Sequence, residues 1–155
     1  MKLIKNNPST GSGQAFLPVV MLVLGFVGFL DAAYLTIIHY KDEIPPCTVT
    51  NGCETVLTSS FSEVFGIPIA LFGAFFYISI MALSLLLITK TGPKKLISNL
   101  LVLDAVAGFV VSVVLIYIQF AILKTYCQYC ILSEVVSFLI FAIAIALFKL
   151  RRNRS

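Results

Sequence analysis

The sequence predicts an all-α integral membrane protein, a bundle of four transmembrane helices with a short interfacial helix in the loop between the first two. Three observations carry this expectation. Hydrophobic residues make up 59% of the 155-residue chain and charged residues only 12%, which leaves too little polar surface to cover a soluble domain of that size. Four apolar runs, at 16–38, 67–89, 96–123 and 131–150, are each able to cross a hydrocarbon core of about 30 Å. Basic residues gather beside these runs on one side, which accounts for the net charge of +4 without a nucleic-acid partner.

Residues 1–15, rich in Asn, Ser, Gly and Lys, are expected to be a flexible cytoplasmic tail. The run Phe16 to Ile38 is too long for the apolar core of a cleaved signal peptide, typically about 7–15 residues, and His39-Tyr40-Lys41 follows in place of a cleavage site. It is therefore the first span. The loop from Tyr40 to Gly66 is the one long connection, and long loops in compact domains are usually functional. Within it, Pro45-Pro46 and Asn51-Gly52 mark turned or extended backbone. Glu54 to Phe65 is expected to form the interfacial helix, with Val56, Leu57, Phe61, Val64 and Phe65 on its apolar side. Gly66-Ile67-Pro68 opens the second span, proline being tolerated in a first helical turn. Gly92-Pro93 centres a short turn, Lys90 to Lys95, into the third span. The fourth span follows Cys130, and residues 151–155 form a basic cytoplasmic tail.

Lys2, Lys5, Lys90, Lys94, Lys95, Lys149, Arg151, Arg152 and Arg154 all fall on one side of this topology. Both termini should face the cytoplasm of a cell membrane. The other side has only Lys41 and Lys124 as basic residues and carries Asp42, Glu43, Glu54 and Glu63. All four cysteines are thus expected at the exoplasmic face.

Cys127-Gln128-Tyr129-Cys130 is a C-x-x-C motif at the start of the fourth span, where the thiols share one helical face at i, i+3. A helix N-terminus favours a thiolate, so Cys127 should be the better nucleophile. Cys130 lies one turn deeper, at the level of a lipid-soluble acceptor. Cys47 and Cys53 stand in a loop that Asn51-Gly52 can fold back, so they can pair as well. Four cysteines permit three full pairings, and the spacing alone does not choose among them. Two pairs, one exposed and one at the membrane surface, suit a thiol relay that must end on a two-electron acceptor; in an apolar bundle that acceptor is expected to be quinone.

Exoplasmic cysteines are often static bridges, as in a non-enzymatic membrane subunit. The C-x-x-C at a helix terminus, with no exofacial domain to stabilise, favours redox chemistry instead. A Cys₄ zinc site would use C-x-x-C as half its ligands, but C-x₅-C is unusual as the other half, and no metal is expected. Ionisable residues within spans are functional candidates by default. Glu134, one turn past Cys130, is a candidate proton relay; Asp31, Asp104 and His39 are weaker ones. Gln119, Tyr126 and Tyr129 are expected to be interface residues, and Phe72, Phe75 and Phe76 packing residues.

Tyr34-Leu35-Thr36 with His39, Cys47, Cys53, Ser59, Gly66-Ile67-Pro68, Gly73, Tyr77 and Cys127-Gln128-Tyr129-Cys130 stand in the order and spacing of the bacterial vitamin K epoxide reductase family, which the chain resembles over roughly residues 16 to 150. The resemblance implies four helices around a quinone, ubiquinone or menaquinone, drawn from the membrane pool. It implies that Cys130 reacts with the quinone, that Cys127 is its partner, that Cys53 exchanges with Cys127, and that Cys47 meets the external donor. Ser59 matches a polar residue near the quinone head. Many bacterial relatives carry a fused thioredoxin-like domain; this chain stops soon after its fourth span, so the donor is expected to be a separate thioredoxin-fold thiol oxidase (DsbA-like). Animal relatives have Thr-Tyr-Ala where Ser133-Glu134-Val135 stands here, which counts against vitamin K epoxide as substrate. The expected function is disulfide formation in exported proteins, with reduction of a quinone or its epoxide as the alternative.

Overall fold

The computed structural model describes residues 9–153, with side chains from residue 16. Residues 1–8, with Lys2 and Lys5, and residues 154–155 lie outside the described residues. Helix α1 spans Ser9–Tyr40, so the segment 9–15, expected to be flexible, is helical. Once an apolar run has nucleated a helix, adding residues at its end requires only the easier propagation step. Helices α3 (Ile69–Ile88), α4 (Lys94–Tyr117) and α5 (Gln128–Arg152) complete the bundle, and a π-helical segment, Ile118–Leu123, prolongs α4.

All four helices are long and apolar enough to cross a membrane. Helix α1 packs on α3 and α5, and α4 packs on the same two, so the helices form a ring around a shared interior. Met21, Tyr77, Ile80, Leu101, Ala105, Ile140, Ala144 and Leu147 fill that interior. Large apolar side chains such as Phe26, Leu30, Phe75, Leu85, Leu103 and Val110 instead point outward and stay exposed. An apolar exterior of this kind suits lipid, where burial in the core is not the only refuge for hydrocarbon.

The expected helix over Glu54–Phe65 is present only as α2, Cys53–Leu57. Hydroxyl groups end it. Thr58 Oγ1 donates to the Glu54 carbonyl at 2.7 Å, Ser59 Oγ to Val56 at 2.7 Å and Ser62 Oγ to Ser59 at 2.8 Å, and the Val56 and Ser59 carbonyls take amides three residues on in place of the four of an α-helix. The chain then forms a two-residue hairpin, β1 (Glu63–Val64) against β2 (Ile67–Pro68). Its turn holds Phe65 at φ 55° and Gly66 at φ 76°, the double left-handed conformation that matches strand twist and that glycine adopts without strain. The apolar side expected for one helix is therefore divided: Val56 is buried, while Val64 and Phe65 are exposed.

Lys90, Lys94, Lys95, Lys149, Arg151 and Arg152 lie at the end of the bundle opposite the cysteines. There Arg151 Nη1 donates to the Lys94 carbonyl at 2.6 Å, tying α5 to the start of α4.

Candidate active site

Cys127 is the N-cap of α5, in extended conformation, and Cys130 sits in the first turn. The sulfur takes the place of the oxygen that usually caps a helix: Cys127 Sγ accepts from the Cys130 backbone N–H at 3.4 Å. It also accepts from the Cys130 thiol at 2.7 Å. That thiol, then the amides of Cys130 and Tyr129, hold the Cys127 thiol below its ordinary value despite burial. Both cysteines are free, and of the two it is Cys127 whose thiol the surrounding donors favour for ionisation.

The other pair is a disulfide, Cys47–Cys53, with its Cα atoms 6.2 Å apart. Its loop is docked on the start of α5 by the two residues inside the C-x-x-C. Gln128 Oε1 accepts from the Val49 N–H at 2.9 Å, and the Tyr129 hydroxyl donates to the Pro46 carbonyl at 3.2 Å. Tyr129, expected at the membrane interface, also rests against the Tyr34 ring with centroids 5.5 Å apart. Gly52 makes the approach possible, because a Cβ there would overlap Thr125 and Tyr126. As a result Cys53 and Cys127 share one buried cluster with Val56, and Cys47, Leu57, Tyr129 and Cys130 pack around it.

Below this cluster lies a cavity of about 310 Å³ among α1, α3, α4 and α5. Cys130 is part of its wall; so are Ser59 and Glu134. Most of the lining is apolar, including Leu35, Leu57, Val111 and Leu115. Phe72 and Phe76, expected only to pack, line it too, whereas Phe75 faces outward. His39 reaches the cavity and also lies 3.0 Å from Glu63 through Nε2, linking α1 to the hairpin. Asp104 lines the cavity as well, and Asp31 is buried nearby in α1.

Tyr77 crosses from α3 to α5. Its hydroxyl donates to the Ser133 carbonyl at 2.7 Å and lies 2.8 Å from Ser133 Oγ. Gln119 differs most from its expected place. It is not an interface residue but is buried at the cavity wall. Its Nε2 donates to Glu134 Oε1 at 2.8 Å, and its Oε1 accepts from the Cys127 N–H at 3.3 Å. The π-helical segment turns it inward; such irregular turns widen a helix locally and often occur at functional sites. The signal available in the sequence was a lone amide between Ile118 and Phe120, eight positions before Cys127.

This arrangement brings the disulfide, the free dithiol and a cavity together in series. An apolar wall with Cys130, Ser59 and Glu134 in it fits a flat ring with polar oxygens and an apolar tail. The volume of about 310 Å³ is at the lower end of the range of roughly 300–1,000 Å³ usual for small-molecule sites. A family model described as the vitamin K epoxide reductase family matches residues 19–145, a stretch that includes all four cysteines.

Proposed function

The chain belongs to the vitamin K epoxide reductase family and is an oxidoreductase with membrane-spanning helices, and from that premise we propose that it is a quinone-dependent dithiol oxidase supporting disulfide formation in exported proteins. The observation that carries the reading is Cys130: it lines the cavity and at the same time hydrogen-bonds to Cys127, which shares a buried cluster with Cys53.

In this reading a thioredoxin-fold partner's thiolate attacks Cys47 Sγ and breaks the Cys47–Cys53 bond; the partner leaves as a disulfide. Cys53 then attacks Cys127 of an oxidised Cys127–Cys130 pair, Cys130 leaves as the thiolate, and Cys47 closes on Cys53 to free Cys127. Two electrons have moved from loop to helix. The state in which Cys47–Cys53 is a disulfide and Cys127 and Cys130 are free is the product of that transfer. A bound ubiquinone or menaquinone accepts the electron pair and two protons, and the thiols of Cys127 and Cys130 return to a disulfide.

Ser59 and Glu134 provide polar groups at the cavity wall near Cys130, and Glu134 serves as the proton donor. The basic residues at the far end of the bundle support a cytoplasmic location for that end and an exoplasmic one for the cysteines.

The test is anaerobic quinone reduction by the purified protein with a reduced thioredoxin-fold partner. Wild type should form quinol, Cys130→Ala should not, and Cys47→Ala should fail with the protein partner yet respond to a small dithiol. A wild-type protein whose cysteines are accessible but that forms no quinol would overturn the quinone-dependent reading.

A further inference from the structure

Glu134 has two oxygens in different circumstances. Oε1 accepts from Gln119 Nε2, and Oε2 is buried with no hydrogen-bond partner among the described residues. The residue itself is 3% exposed and lines the same cavity as Cys130. What decides which oxygen carries a proton lies on the other side of Gln119.

The Cys127 backbone N–H can only donate, so the Gln119 atom facing it must be the acceptor, Oε1. An amide has one oxygen and one nitrogen; with the oxygen committed to Cys127, the NH₂ group must face Glu134. That group in turn can only donate, so Glu134 Oε1 must accept. A carbonyl oxygen is a better acceptor than a hydroxyl oxygen, so a proton on the carboxyl is directed away from Oε1 and onto Oε2. Turning the amide over would set two donors against each other at Cys127, with one buried donor left unmade. The backbone that carries this side chain is held as well, since the Gln119 main-chain carbonyl accepts from the Thr125 N–H at 3.2 Å and the π-helical segment ends at Lys124 in the left-handed conformation.

We propose that Gln119 is a positioning residue that fixes the Glu134 proton on Oε2, the oxygen without a partner of its own in a residue that shares the cavity wall with Cys130. The inference rests on Glu134 acting as the proton donor, and it deepens that reading. It ties proton placement to the N-cap of the reactive helix: the amide that orients Glu134 is itself oriented by the residue bearing the nucleophilic sulfur. Without Gln119 the proton is free to occupy either oxygen, so about half of the molecules carry it on Oε1 and leave Oε2 without it.

Two readouts on the full-length protein in lipid separate this placement from the donor role. The first is the infrared carbonyl stretch of a protonated carboxyl, assigned to Glu134 by its loss in Glu134→Gln. In wild type the carbonyl oxygen, Oε1, accepts from Gln119, so Gln119→Leu should move this band to higher frequency. Gln119→Glu, whose protonated carboxyl can accept from Cys127 and donate to Glu134, should return it toward the wild-type position. The second readout is the rate at which prereduced enzyme forms its first quinol. That rate should fall by about 10²-fold or more in Glu134→Gln, within the range general acids contribute, and by about twofold in Gln119→Leu, as the halved share of correctly placed protons requires, with recovery in Gln119→Glu. A band absent from wild type, or present but unmoved in Gln119→Leu, overturns the placement. A shifted band with an unchanged Glu134→Gln rate keeps the placement and removes the donor role instead.

Discussion

Substituting Gly52 by alanine should separate the two halves of the relay. An ideal Cβ at this position would lie 2.6 Å from the Tyr126 carbonyl oxygen and 2.7 Å from its nitrogen, and closer still to Thr125 Oγ1. Ordinary contact begins at 3.4 Å, so the two loops must part by about 0.7–0.8 Å. Neither side can yield by a rotamer change, because the obstacle is backbone. Gly52 precedes Cys53, and Tyr126 precedes Cys127, so the displacement falls on the two sulfurs that must meet in line. A misplacement of about 1 Å costs about 10²-fold in rate. The assay is a burst experiment with fully reduced enzyme and excess quinone under anaerobic conditions. The four thiols hold two electron pairs, so wild type should form two quinols per chain in quick succession. Gly52→Ala should form the first at the wild-type rate, from Cys127 and Cys130, and the second about 10²-fold more slowly, because that pair must cross from Cys53. A second quinol formed as fast as in wild type would refute the proposed route between the loops.

Other expectations follow from the same geometry. Because the Cys130 thiol and nearby amides hold the Cys127 thiol below its ordinary value, alkylation of Cys127 in a Cys47→Ala, Cys53→Ala background should persist to lower pH than for a free thiol. Adding Cys130→Ala removes the principal donor and should move the alkylation midpoint up. Gln128→Ala deprives the Val49 N–H of its acceptor, a loss of about 0.5–1.5 kcal/mol, so hydrogen exchange at Val49 should quicken by about 2- to 12-fold. Ser112→Phe introduces a ring into the cavity wall and should suppress quinol formation, while dithiol exchange at Cys47–Cys53, measured by thiol trapping, stays at the wild-type rate.

The bundle was legible because lipid imposes a coarse rule: spans must be long, apolar and flanked by charge, as 16–38 or 67–89 are. The four cysteines were legible because their chemistry depends on spacing. What escaped depends on short-range competition between side chain and backbone. The stretch 54–65 has the apolar periodicity of a helix, yet the Val56 and Ser59 carbonyls are bonded three residues on, by both the amides and the hydroxyls of Ser59 and Ser62, and Phe65-Gly66 turns the chain into a hairpin. Gln119 escaped for a different reason. A regular helix through Tyr117 gives no warning that the next turn is π, so the direction of that amide cannot be obtained from a period of 3.6 residues. Phe72 and Phe76 were read as packing, and they do border packed helices; that the space between them is a cavity depends on the whole bundle.

The complete burial of Cys127, 0% exposed beneath the docked loop, has a consequence for the chemistry of the surroundings. A thiol held below its ordinary value would, in the open, react with every disulfide, peroxide and small thiol that diffused past, and its oxidation beyond sulfenic acid is irreversible. Here the loop that delivers electrons is also the insulation around the terminal. In the proposed relay electrons enter through Cys47–Cys53, of which Cys47 is half-buried, and the sulfur able to short-circuit the system is shielded from solution. On the proposed route the loop would filter its inputs by kinetics rather than by potential: a reductant strong enough to drive the reaction but unable to engage Cys47 would be excluded, and the quinone pool would not be drained by whatever thiol is most abundant outside.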